Sequence, residues 1–441
     1  MENLSIKGGI PLEGVVSVSG AKNVAMKVIL AGLLTEEKLT IHGVPDISSV
    51  TGTADIVRPL GVNVEFTNHT LCIDPLHISG IEVPLDIGSH YRSATMVLGP
   101  LLQRFGKAKV PNPGGCRLGQ RPIDRHIEAI EKMGAKITYN SNDGYFYAKA
   151  DKLHGTHHKF NKNTHTGTEA MILAAVLAEG ETIIENAASE PEVYDLVALL
   201  NLMGANIQRV AERKIIIKGV KKLHGAEFTI MPDRNEVVTY AIAALATQGD
   251  IIIRGAQRDN LKSFLQKVDE SDGGWEPIDS NSTRFYSKGP LKKTDVITKP
   301  HPGFMTDWQA PWALLMTQAH GTSTIHETIF EDRFSYVTEL KRMGAKISFE
   351  NIIVDNPEDL YNFNYNKYEA KPQVIKIKGP TPLHEAILKM SDIRAGATLI
   401  LAALCAKGES YIHGLDHIDR GYEKIDERLQ KLGANIKRLK E

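Results

Sequence analysis

Cysteine is scarce in this chain: three residues in 441, Cys72, Cys116 and Cys405, odd in number and far apart. That spacing excludes a disulfide framework and the CxxC pairs of zinc clusters, and it fits a reducing cytoplasm. Apolar runs are short. Ala170 to Ala178 is among the longest, well below the roughly 20 residues of a membrane span, and MENLSIKGG lacks the basic-then-apolar pattern of a signal peptide. Neither sign of charge dominates: 52 Lys+Arg against 53 Asp+Glu leave a formal net charge of −1, so no general attraction draws the chain to nucleic acid or into a membrane. A Walker-type or dinucleotide-binding glycine motif is also missing, because GGCRLG has neither the spacing nor the Lys-Ser/Thr ending. There is no HExxH and no His/Cys cluster, and His157-His158 reads as an isolated surface pair. No metal or cofactor is expected, so the chemistry falls to side chains and substrates.

What the chain has is a core and a repeat. With 42% apolar residues over 441 positions, it can build two or three domains. The phrase LGVNV at Gly61 returns as MGAKI at Gly134, MGANI at Gly204, MGAKI at Gly344 and LGANI at Gly433, with a degenerate SDGGW at Gly273. The spacing defines a period of about 70 residues, repeated six times. Each period contains an apolar helix, a strand, a polar loop, an amphipathic helix and one or two further strands. The first helices (ILAAVLA, YAIAALA, WALLMTQA, LILAALCA) are apolar nearly all round, as a helix buried on every side must be. The second carry one apolar stripe, such as Ile127, Ile130 and Met133 or Ile425, Leu429 and Leu432. The glycine that follows is a C-cap position. The last period is lengthened by NPEDLYNFNYNKYEAKP, which reads as a surface excursion. Six units suggest two halves of three: residues 20–230, and 1–19 with 231–441, the strand LSIKGG completing the second. Two connections between the halves predict a hinged cleft.

The polar residues before the six buried helices carry the functional signal: SGAKN, GSHYRSA, NKNTHTGTE, MPDRNE, FMTDWQ and KMSDIRAG. Each offers Ser, Thr or Asp for an N-cap. Capping does not account for Lys22, Arg92 or Arg394, cations at the positive end of a helix dipole, where an anion offsets their cost. The loops before the second helices add Arg121, the Glu331 and Arg333 of IFEDRF, and the Asp419 and Arg420 of HIDRGYEK. Among these loops, PNPGGCRLGQRPIDRH sets Cys116 between two glycines and the cations Arg117, Arg121 and Arg125. A free thiol is most often a small buried hydrophobe. Beside guanidinium groups it becomes a reagent, and Gly114, Gly115 and Gly119 would let such a loop move as a lid.

SGAKN, GGCxxGxRPxD, PGFxTDxQA, ETxFExRF and HIDRGYE together resemble the enolpyruvyltransferase family, the EPSP synthase fold group, and within it the branch that acts on UDP-N-acetylglucosamine. The resemblance runs over essentially the whole chain. It implies an α/β (α+β) fold, the inside-out α/β barrel, with two domains of three βαβαββ units each and the active-site cleft between them. It also implies transfer of enolpyruvyl from phosphoenolpyruvate to the 3-hydroxyl of UDP-N-acetylglucosamine, with release of phosphate, as the first committed step of peptidoglycan precursor synthesis in the cytoplasm. By the same resemblance Lys22, Arg121 and Arg420 bind phosphoenolpyruvate, with Arg92 and Arg394 lining that site. Asn23 assists at the sugar and Asp307 is the base at its hydroxyl. Cys116 is the acid, and the thiol that forms adducts with phosphoenolpyruvate and fosfomycin. Arg121, Pro122, Ile123, Asp124 and Arg125 hold the uridine end together with Lys162, Asn163, Thr164, His165 and Ile329. Glu331 and Asp392 match acidic positions near the centre.

The sequence departs from the family in three places. NTHTGTE stands where a small-residue turn is usual, bringing in His165 and Glu169; Tyr91 replaces a smaller residue; and MPDRNEVV differs from the usual D-R-I-E-x-G. Two other readings compete. A sister enzyme acting on shikimate 3-phosphate is disfavoured by the thiol loop and RPID. A non-catalytic or RNA-end-processing relative of the same repeat is disfavoured by the balanced charge and the lack of interleaved aromatic and basic residues.

Overall fold

The computed structural model describes residues 2–113, 123–368 and 370–440. The chain divides into two compact units: a terminal unit made of Met1–Ser19 and Pro232–Glu441, and an inserted unit lying within Gly20–Met231. Each unit holds its own hydrophobic core and three sheets.

The sheets share one plan, a parallel pair followed by two antiparallel strands. The parallel pair joins consecutive strands across a buried helix for His157–Thr164, Val296–Ile297 and Ile387–Lys389, whereas Glu13–Ser17 pairs with Asp250–Arg254 and Ala226–Thr229 with Leu39–His42. In the inserted unit, His157–Thr164 runs parallel to Glu181–Ala187, which is followed by antiparallel Lys214–Lys218 and the edge strand Asn206–Ala211. Lys214–Lys218, with the sequence KIIIK, buries alternate residues, as a strand covered on one face must. In the sheet of Lys107–Pro111, Tyr145–Lys149 and Lys136–Asn140, the parallel partner is reduced to a single bridge between Glu82 and Lys109. In the terminal unit, Glu2–Lys7 lies between Glu409–His413 and Asn435–Lys440, antiparallel to both, so the start of the chain closes the sheet formed by its end.

The helices behind these sheets are buried all round, the inside-out arrangement of the α/β barrel. In Arg234–Ala246 all 13 residues are buried, and in Gln309–Thr317 all 9. The amphipathic helices face a sheet with one stripe: Ile425, Leu429 and Leu432 are 0–1% exposed. Among the described residues, no helix is long and apolar enough to cross a membrane.

Five of the repeated glycines stand in the left-handed region, from φ 94° at Gly433 to φ 101° at Gly134, where a Cβ is penalised. The fourth repeat corrects the expected register. Asp272, at φ 60°, takes the left-handed position, which a short polar side chain tolerates. Gly273 takes the place of the alanine found in other repeats, because a Cβ there would lie 2.7 Å from Val268 Cγ1.

Other expectations also change. Side-chain capping is found at three of the six buried segments: Thr164 accepts from Gly167 N–H, Asp233 from Asn235 N–H, and Asp392 from Arg394 and Ala395 N–H. Ala21, Tyr91 and Met305 occupy the other cap positions and provide no side-chain bond. The serine or threonine in those loops sits out of register with the helix start. The insertion is not wholly a surface excursion, since Tyr361 and Phe363 are buried and stacked and the Tyr361 hydroxyl lies 3.2 Å from His326 Nε2. Of the histidine pair, only His157 is exposed. His158 packs edge-on against Phe160, and burial lowers its pKa.

Candidate active site

In the inserted unit, Lys22 and Asn23 open the Lys22–Ala31 helix, whose cap residue Ala21 offers no side-chain acceptor to the first turn. Arg92 begins a 3-10 segment, Arg92–Val97. Its neighbour Tyr91 packs where Gly52 has no side chain: a Cβ at Gly52 would lie 2.1 Å from the Tyr91 ring. The larger residue at 91 is therefore matched by a small one on the adjoining helix.

Ile123 precedes the Asp124–Lys132 helix, in which the Asp124 carboxylate accepts the Arg125 N–H at 2.9 Å. His126 Nε2 lies 3.0 Å from the Thr166 hydroxyl, so this helix is bonded to the start of His165–Ala175. The structure thus brings the Ile123–Arg125 segment close to Lys162–His165. Within the latter, Asn163 is buried and donates to the Asn186 carbonyl at 3.0 Å, and Thr164 caps the helix. These two side chains shape the turn from inside. Cys116, Arg121 and Pro122 lie outside the described residues, as do Gly114, Gly115, Arg117 and Gly119.

In the terminal unit, Asp307 and Arg394 meet. Arg394 donates to Asp307 Oδ2 at 3.1 Å and to the Tyr422 hydroxyl at 2.9 Å, and Arg333 donates to Asp307 Oδ1 at 2.7 Å. The two guanidinium groups are 4–5% exposed against 25% for Asp307, so the carboxylate is the most accessible part of this cluster. Charge-assisted pairs of this kind fix orientation as well as charge. Asp392 works from behind: one oxygen caps the helix that carries Arg394, and the other accepts from the Ser335 hydroxyl at 3.1 Å.

Glu327 organises the neighbouring loop. Oε1 accepts Ile329 and Phe330 N–H at 2.7 and 3.1 Å, while Oε2 accepts the Thr306 hydroxyl at 2.8 Å. It therefore holds Ile329, and through Thr306 the turn bearing Asp307. Its burial pushes its pKa up, opposed by Arg333. Glu331 follows in the same loop, its carbonyl accepting from Gln373 at 2.7 Å. Arg420 is two residues before Tyr422 in the HIDRGYE turn, and its neighbour Asp419 pairs with Arg438 at 2.9 Å. Among the described residues, no group of three or more His, Cys, Asp or Glu side chains is placed to hold a metal ion.

Glu327 and Tyr422 were not among the site residues expected from sequence, and Arg333, named with its loop, was given no role there. Lys27 was missed as well, and Glu169, noted only as a departure from the family turn, is its partner: both are buried and lie 3.0 Å apart. A signal for them existed: a charge inside a helix that is apolar all round must find a partner.

Comparison with known proteins places the chain in a carboxyvinyl-transferring class of enzyme. The chain belongs to the EPSP synthase family: the family model described as EPSP synthase (3-phosphoshikimate 1-carboxyvinyltransferase) matches residues 6–429. Over its whole length it is 42% identical to the UDP-N-acetylglucosamine 1-carboxyvinyltransferase of Acidobacterium capsulatum, 96% of which is covered. It is 41% identical to the protein of that name from Idiomarina loihiensis, with both chains covered completely. Among solved structures, the enolpyruvyl transferase NikO from Streptomyces tendae superposes with a TM-score of 0.86 at 23% identity, covering 99% of this chain and 98% of that one. An EPSP synthase from Acinetobacter baumannii gives 0.73 at 17% identity, with complete coverage of both chains. These two likenesses are of fold.

Proposed function

We propose that this chain transfers the enolpyruvyl group of phosphoenolpyruvate to the 3-hydroxyl of UDP-N-acetylglucosamine and releases phosphate. The observation that carries this reading is the end-to-end identity of about 40% to enzymes named for that reaction, together with Lys22, Cys116, Asp307 and Arg420 in their matching motifs. The sugar oxygen bonds to C2 of phosphoenolpyruvate while C3 gains a proton. Loss of a C3 proton then expels phosphate and restores the double bond.

Lys22, Arg121 and Arg420 hold the phosphate and carboxylate, with Arg92 and Arg394 supporting them. Asp307 receives the hydroxyl proton, and Cys116 delivers the proton to C3. Asn23 contacts the sugar, and the segments 121–125 and 162–165 with Ile329 hold the nucleotide. The product is a peptidoglycan precursor, and the enzyme works in the cytoplasm with no nucleic-acid partner.

The test is phosphate release from phosphoenolpyruvate with a panel of acceptors. Release is expected with UDP-N-acetylglucosamine; release with shikimate 3-phosphate instead, or with no acceptor, contradicts the reading. A second expectation concerns fosfomycin, an epoxide that alkylates thiolates. One adduct per chain should form at Cys116 and be lost in Cys116→Ser. Burial pushes Cys405 up to about 12, so at neutral pH it stays protonated and unreactive. Peptide mass mapping that finds the adduct on Cys72 or Cys405 would show the wrong thiol had been assigned.

A further inference from the structure

The inserted unit contains a buried charged triad that the mechanism above does not use. Lys27, in the Lys22–Ala31 helix, lies 3.0 Å from Glu169 Oε2, in the His165–Ala175 helix. His165 Nε2, one turn before Glu169, lies 3.2 Å from Oε1. Lys27 Nζ also donates to the Asn23 carbonyl at 3.0 Å, which pins the helix turn that carries Lys22 and Asn23. Glu169 therefore ties together two helix starts, one bearing residues assigned to phosphoenolpyruvate and sugar, the other bearing the nucleotide segment.

Access is uneven. The Lys27 and Glu169 side chains are 3% and 0% exposed, and that of His165 is 22%. The charge of the triad can be felt from outside only through the imidazole. We propose that Glu169 is a positioning residue that locks Lys27 and His165, and that it makes His165 a charged, specificity-determining contact for the diphosphate of the nucleotide-sugar. This rests on the function proposed above.

The groups facing His165 are Glu169 on its own helix, Lys27 on the first helix and Glu190 at the start of Pro191–Leu202; His126 is bonded to Thr166 next to it. Burial works against the charged ring, but Glu169 and Glu190 outweigh burial and Lys27, so the imidazole pKa is raised. Glu169 is held low: burial opposes its charge, and Lys27 and His165 overcome that. A cationic ring favours an anionic ligand, and binding should weaken as pH rises through the raised His165 pKa.

The test is calorimetric titration of UDP-N-acetylglucosamine into the full chain across pH, with the imidazole proton of His165 followed by NMR in the ligand-free protein. Wild type is expected to lose about tenfold in affinity across that titration, the worth of one charge-assisted bond. His165→Gln should bind weakly with no such pH step. Glu169→Gln should move the step to lower pH and Lys27→Met to higher pH, opposite directions that general loosening of the fold does not produce. An unchanged pH step in His165→Gln overturns the proposal. So does an unmoved His165 titration in Glu169→Gln, or, if that variant does not fold, in Lys27→Met. If the wild-type protein does not bind UDP-N-acetylglucosamine at all, the functional reading fails and the ligand contact fails with it. The NMR titration then still decides whether Glu169 controls His165.

Discussion

Asparagine in place of Asp307 is expected to lower turnover by a factor on the order of 10² to 10⁴, the range for losing a general acid–base group. Arg333 donates to one oxygen and Arg394 to the other. The amide that replaces this carboxylate would have to turn its NH₂ toward one of these guanidinium groups, donor against donor. One buried cation loses its acceptor, at a stability cost of roughly 1–3 kcal/mol, and the side chain loses the charge that the proposed base needs. Steady-state phosphate release with a parallel thermal melt separates the two effects. A folded Asp307→Asn protein that turns over within about threefold of wild type, far short of the loss of a general base, would remove Asp307 from the chemistry. Asp307→Glu keeps the charge and should retain more activity than asparagine.

The second large effect is on stability. Lys27→Ala leaves Glu169, 0% exposed, with the His165 imidazole as its remaining counter-charge, and the cost is expected to approach the roughly 3–5 kcal/mol of breaking a buried pair by removing one partner. Removing both charges with residues of similar volume, Lys27→Met with Glu169→Met, should return most of that loss, because neither desolvated charge remains. Urea unfolding of the two single variants and the double variant gives the coupling. Single variants as stable as wild type would mean that the pair is not sealed from water.

The period of the chain was legible because it is written in local chemistry. A glycine that must adopt positive φ ends helix after helix, and a helix buried on every side has to be apolar on every side. Asp272 escaped because aspartate can adopt the same backbone as glycine. Its neighbour Gly273 is required for a different reason, the closeness of Val268. A serine or threonine near a helix start caps only in the right register, and Ser19, for example, instead donates its hydroxyl to Glu423.

The candidate site residues that the sequence offers lie in contiguous motifs, as Lys22 and Asn23 or Asp392 and Arg394 do. Side chains that meet across the sequence were not legible in it. Tyr422 reaches back to Arg394, Glu327 holds two separate loops, and Lys27 finds Glu169 on a helix more than a hundred residues later. Nothing in the linear order announces those pairings, although the charge of Lys27 inside VAMKVILAG did announce that some partner was required.

The central claim is a bond, and mass spectrometry with NMR of the product tests it most directly. Incubated with phosphoenolpyruvate and UDP-N-acetylglucosamine, the purified chain is expected to form the 3-O-enolpyruvyl ether of the nucleotide-sugar together with one equivalent of phosphate. Recovery of unmodified nucleotide-sugar, or of an ether at a different hydroxyl, would contradict the account.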